Sequence, residues 1–121
     1  MVKIIYNKLI PFKGYVAINL FGFIFARKEY ESKIECDYAR KTVLLNHEMI
    51  HTAQYKELLY VFYIILYLLN YLVNLFVYFN FKKAYKNICF EREAKTHEYS
   101  DYYVYTRRHF AWIGYILHSK I

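Results

Sequence analysis

The sequence predicts an α+β fold, mainly helical, in which a small N-terminal antiparallel sheet is followed by three to four helices. Three observations predict it. Pro11, Gly14 and Gly22 fall near the start, and from there to Gly114 the chain has neither glycine nor proline. Absence of both breakers favours helix. The front carries short β-branched and aromatic runs, and the remainder carries longer apolar stretches at helical spacing. At 121 residues, one domain spanning 1–121 is expected.

KIIY (3–6), YVAINLF (15–21) and FIFARK (23–28) read as three short strands, with turns at 11–14 and at Gly22. KEYESKIECDY (28–38) is polar and reads as a connection. Asp37 is a candidate N-cap, opening a helix that runs to about Lys56. Val43, Leu44, Ile50 and Ala53 supply its apolar faces. A second helix is expected from about Glu57 to Phe81 and a third from about Lys83 to Tyr105. The closing HFAWIGYILHSKI is short and apolar, helical as far as Gly114.

Composition narrows the partners. Hydrophobic residues make up 58% of the chain, too much apolar surface for a disordered segment. The formal net charge is +7, but the cations are scattered and no nucleic-acid fingerprint accompanies them, so no nucleic-acid partner is expected. Lys82, Lys83 and Lys86 directly follow the most apolar segment. That placement suits a cytoplasmic membrane flank as well as a solvated helix end. Cys36 and Cys89 form no CxxC pair and read as reduced thiols. No long apolar run precedes Pro11, so no secretory signal is expected, and the chain is expected in the cytoplasm or on its membrane face.

Leu58 to Phe81 is a stretch of 24 residues without a charge, long enough to span a bilayer. Its polar members Tyr60, Tyr63, Tyr67, Asn70, Tyr71, Asn74 and Tyr78 share an arc of roughly 100° on a helix. Two readings fit. The helix is the spine of a soluble domain, with the stripe facing water or an active site. Or it lies in or across a membrane, with the stripe facing protein, since asparagines in a lipid-facing span are costly.

The chemistry concentrates in HEMIH, residues 47–51. Residues four apart on a helix lie one above the other, so His47 and His51 can aim ring nitrogens at one zinc ion. Glu48 is rotated about 100° from the first ligand. It sits beside the metal, placed to act as general base toward a zinc-activated water. Catalytic zinc takes a third protein ligand. Glu91 leads the candidates, in FEREA, ahead of Glu93, His97, Glu98 and Asp101. Oxyanion donors are sought among Tyr99, Tyr102, Tyr103, Tyr105, Arg107 and His109. His118 reads as a tail residue.

HEMIH with a downstream Glu-x-x-Ala (Glu91 to Ala94) resembles the gluzincin branch of zinc metallopeptidases, over roughly residues 44 to 98. The order LNHE-x-x-H, aromatic-rich apolar helix, FEREA is similar to small uncharacterised zincin-like proteins of bacteria. The resemblance implies a zincin-like arrangement, zinc as cofactor, His47, His51 and Glu91 as ligands, Glu48 as base and a peptide or protein substrate. It also implies an edge strand that binds substrate backbone, for which FIFAR (Phe23 to Arg27) is the candidate. Many gluzincins have an acidic residue four after the ligand glutamate. Here that position is Lys95, leaving Glu98, Asp101 or Asn46 to steady a histidine. The rival expectation is a non-catalytic zinc-binding or membrane-associated module.

Overall fold

A computed structural model describes residues 3–10 and 15–116. The expected turn at 11–14 and His118 lie outside the described residues. Three short strands form one sheet: β1 (Ile4–Asn7), β2 (Ala17–Leu20) and β3 (Phe23–Arg27), in the order β1-β3-β2. β2 and β3 are an antiparallel hairpin closed at Phe21 and Gly22, both at positive φ. The Gly22 amide donates to Asn19 Oδ1 at 2.9 Å, which fixes the turn.

The sheet is mixed, not antiparallel as expected: β1 runs parallel to β3, with Ile4 opposite Ile24. Two chain reversals separate these strands, so direct pairing makes them parallel. β3 takes the centre because Ile24, Ala26 and Arg27 are buried, leaving the more exposed β1 and β2 to flank it.

The protein is mainly helical, and its described residues hold six α-helices rather than three to four. Inside the expected connection is a short helix, α1 (Glu31–Glu35), held by buried Ile34. Asp37 caps α2 (Tyr38–Glu57) by accepting from the Arg40 amide at 3.1 Å. α2 is the longest helix and carries HEMIH. The second expected helix starts late, as α3 (Val61–Tyr78). Leu59 and Tyr60 interrupt it at φ 53° and 63°, a region costly for non-glycine residues. Tyr60 is held there by Tyr55: the two rings stack, and the Tyr60 amide donates to the Tyr55 carbonyl at 2.8 Å.

The third expected helix is cut into α4 (Phe81–Lys86), α5 (Cys89–His97) and α6 (Tyr103–Thr106). Phe79 ends α3 in the left-handed region, and Asn80 restarts the chain by capping α4 through the Lys83 amide at 2.9 Å. The final apolar segment forms a 3-10 helix at Ala111–Tyr115. Its Trp112 joins Tyr55, Tyr63, Ile88 and Phe90 in the core.

α3 settles which way its polar stripe turns. Tyr63 and Asn74 are buried against the protein. Asn70 Oδ1 accepts from the Cys89 amide at 2.8 Å, at the first residue of α5, and Asn74 Nδ2 donates to the Ala84 carbonyl at 3.0 Å. The asparagines thus satisfy backbone groups that the ends of α4 and α5 leave without helical partners. The opposite half of α3, from Val61 to Val77, is aliphatic or phenylalanine throughout and exposed, Phe76 by 76%.

Candidate metal centre

α2 packs against α5, and their facing sides carry the cluster. The helical i,i+4 spacing sets the His47 and His51 rings 4.8 Å apart, edge to face. Glu91 comes from the first turn of α5. His47 Nε2, His51 Nε2 and Glu91 Oε1 form a triangle in which all three sides are 3.2 Å. Ligand atoms of a tetrahedral zinc site with bonds of about 2.0–2.1 Å stand about 3.3–3.4 Å apart. The donor set therefore fits zinc in chemistry and in spacing. His51 and Glu91 are buried and His47 partly so.

The far sides of both rings are held. His47 Nδ1 meets Glu98 Oε1 at 2.8 Å, and His51 Nδ1 meets Gln54 Oε1 at 2.8 Å. Each contact directs the other ring nitrogen into the triangle. Lys95 pairs with Glu98 Oε2 at 3.1 Å. Asn46 steadies the same turn, donating to the Glu98 carbonyl and to Asp101 Oδ1. So of the three residues considered for that task, Glu98 touches the histidine and the other two hold its neighbourhood. Tyr67 donates to Glu91 Oε2 at 2.8 Å, so the stripe on α3 reaches the ligand carboxylate.

Charge follows this geometry. Burial opposes a charge on His47, but hydrogen bonds to Glu91 and Glu98 and the charge of Glu48 outweigh it, pushing the imidazole up to about 10. Burial also works against ionised Glu91. The neighbouring His51 and hydrogen bonds to both imidazoles prevail and hold its carboxyl well below the usual range. Burial pushes Glu48 up, and the two histidines offset this only in part.

Glu48 is 5% exposed, and its Oε1 has no hydrogen-bond partner among the described residues. With His47 it lines a cleft of about 410 Å³. Tyr15, Ala17, Val43, Leu44 and Tyr85 form much of the remaining wall. The Glu48 carbonyl accepts from Asn19 Nδ2 at 2.8 Å, which ties β2 to α2.

FIFAR is the central strand, so it cannot be the edge that receives a substrate. Among the described residues, the edge strand beside the cleft is β2. The Arg27 amide donates to the Val16 carbonyl, and Ile18 lies opposite Phe25. By the alternation of an antiparallel ladder, Ala17 and Asn19 turn their backbone groups outward. Tyr55 takes the Asn19 carbonyl, and Ala17 lines the cleft.

The other candidates are elsewhere. Glu93 is fully buried and bonded to Arg107, Tyr103 and Gln54, apart from the triangle. His97 stacks on Tyr103 at 3.6 Å and meets the Tyr115 hydroxyl. Of the expected oxyanion donors only Tyr99 lines the cleft. Tyr103 and Arg107 serve Glu93, Tyr102 and Tyr105 are exposed, and His109 lies near Glu57. Sequence reasoning missed Tyr85, which lines the cleft and lies near enough to Glu91 for the carboxylate charge to act on its hydroxyl. It also missed Gln54, whose position three after His51 on one helix face was the available signal.

Comparison of the chain with protein-family models, with curated proteins and with solved structures found no match in any of the three.

Proposed function

We propose that this protein is a zincin-like zinc metallopeptidase that hydrolyses peptide bonds in a peptide or protein substrate. The observation that carries this reading is the 3.2 Å triangle of His47, His51 and Glu91 with the unpartnered carboxylate of Glu48 beside it. When bound, zinc would supply a Lewis acid and bring the pKa of a water toward 7. His47, His51 and Glu91 would hold the ion, and Glu98 and Gln54 keep the imidazoles aimed at it.

Glu48 accepts the proton of the attacking water and delivers it to the leaving amine. A carboxylate raised by burial is a stronger base than a solvated one, and this favours the first transfer. The outward backbone groups of Ala17 pair with an extended substrate, adding a strand to β2. Tyr85, which lines the cleft and neighbours Glu91, would donate to the oxygen of the scissile carbonyl as charge develops there.

The test is cleavage of a mixed peptide library by zinc-loaded wild type and Glu48→Gln. Glu48→Gln is expected to bind zinc at the wild-type level and to lose about 10²–10⁴-fold in rate, the range for a general base. Zinc binding with no cleavage by wild type would leave a non-catalytic zinc module. Equal rates in both proteins would remove Glu48 from the mechanism.

A further inference from the structure

We propose that the outer half of α3 docks this protein onto an anionic lipid bilayer. This rests on α3 and on the residues of α4 that follow it, and holds whether or not the metal centre hydrolyses anything.

α3 is 18 residues long, about 27 Å at 1.5 Å per residue, and so offers a long ridge. Its mean hydropathy is 1.9, yet only 11% of it is buried. The exposed residues fall at helical spacing, represented by Phe62, Leu69, Val73 and Phe76, and cover half the circumference. That half holds no polar side chain at all. A soluble monomer rarely exposes so continuous an apolar face. A specific protein interface carries roughly one hydrogen bond per 100–200 Å², for which this face has no side-chain donor or acceptor. Hydrocarbon asks for none.

The charge pattern selects the lipid. The run from Leu58 to Phe81 is uncharged, and exposed Lys82, Lys83 and Lys86 follow it at once. Phe79 and Phe81, exposed by 86% and 71%, extend the apolar face up to those lysines. An apolar face with a cationic end matches an acyl layer bordered by anionic headgroups. The inner half is committed to the protein through Tyr67, Asn70 and Asn74, spread along the helix. Lipid therefore meets α3 from one side, and the helix lies along the membrane as a docking ridge. Glu91, bonded to Tyr67, is then about one helix diameter, ~10 Å, behind the bilayer surface.

The test is co-sedimentation of the full chain with phosphatidylcholine vesicles, with and without phosphatidylglycerol. Binding is expected to both and to be stronger with phosphatidylglycerol. The triple variant Leu69→Gln, Val73→Gln, Phe76→Gln is expected to lose binding while keeping its far-ultraviolet circular dichroism. Lys82→Gln, Lys83→Gln, Lys86→Gln is expected to weaken binding to the anionic vesicles about a hundredfold and to leave the neutral ones unchanged. This second variant carries the test if the first fails to fold. Wild type that stays in the supernatant with both vesicle types would overturn the proposal. So would a detergent-free dimer, seen by light scattering, that the outer-face variant splits.

Discussion

Two carboxylates stand two residues apart on α5 and live in opposite surroundings. Glu93 is fully buried, and its charge is met inside the protein: Arg107 bonds it through Nε and Nη2 at 2.7 and 2.9 Å, and Tyr103 and Gln54 add two more hydrogen bonds. Glu91 is nearly as buried, but its polar neighbours are two imidazoles and the hydroxyls of Tyr67 and Tyr85. No arginine or lysine pairs with it among the described residues. A buried carboxylate with a permanent cation beside it is a structural element. One that shares its oxygen with two histidine nitrogens at ligand spacing has the donor geometry of a cation site, which is the role proposed for it above. Gln54 joins the two, touching His51 on one side and Glu93 on the other.

The largest expected effect lies at Glu93. Arg107→Ala strands Glu93 and Glu57 without their counter-charge, and a loss of about 3–5 kcal/mol is expected in urea unfolding. The loss should be the same in zinc and in chelator, because Arg107 has no contact with the triangle. A loss that appears only with zinc would merge the two sites into one.

A smaller effect sharpens the Glu91 side. Glu98→Gln replaces the carboxylate that orients His47, and zinc affinity is expected to fall about 10–100-fold. Competition titration against a coloured chelator measures it. An unchanged affinity would mean that His47 is positioned by its helix alone.

The smallest effect is a pH dependence at the Glu93 end. Burial lowers the pKa of His97, which stacks on Tyr103. A histidine lowered in the folded state binds protons more readily when unfolded. Its contribution is therefore present above the ordinary value of about 6.5 and is lost as pH falls through it. His97→Gln should flatten the decline in melting temperature between about pH 7 and 5, by the loss of at most one proton's worth of slope.

Much of the site was legible in the sequence because its logic is local. His47, Glu48 and His51 lie within one helical turn, and the Asp37 cap that starts their helix is equally local. Glu91 was legible through its Glu-x-x-Ala context. What was not legible depends on how the pieces dock. Tyr85 and Tyr67 are two of 16 tyrosines, and nothing in their neighbours marks them until α3, α4 and α5 pack. The helix breaks were hidden for a related reason. Leu59, Tyr60 and Phe79 adopt positive-φ backbone without being glycine, which no breaker rule detects. The expected second helix ran through Asn80 to Phe81 and passed over the cap that Asn80 makes for α4, a local signal that was available. The polar stripe of α3 was legible as a stripe, but its direction was not: it turns inward to Glu91 and the ends of α4 and α5.

The most direct test of the central claim is the metal content of the purified chain by elemental analysis. Wild type, His47→Ala, Glu91→Ala and Glu93→Gln should be compared after zinc loading and desalting. One zinc per chain is expected in wild type and in folded Glu93→Gln, with none in His47→Ala or Glu91→Ala. Wild type without zinc, or zinc that survives the loss of Glu91, would contradict the distinction between the two carboxylates.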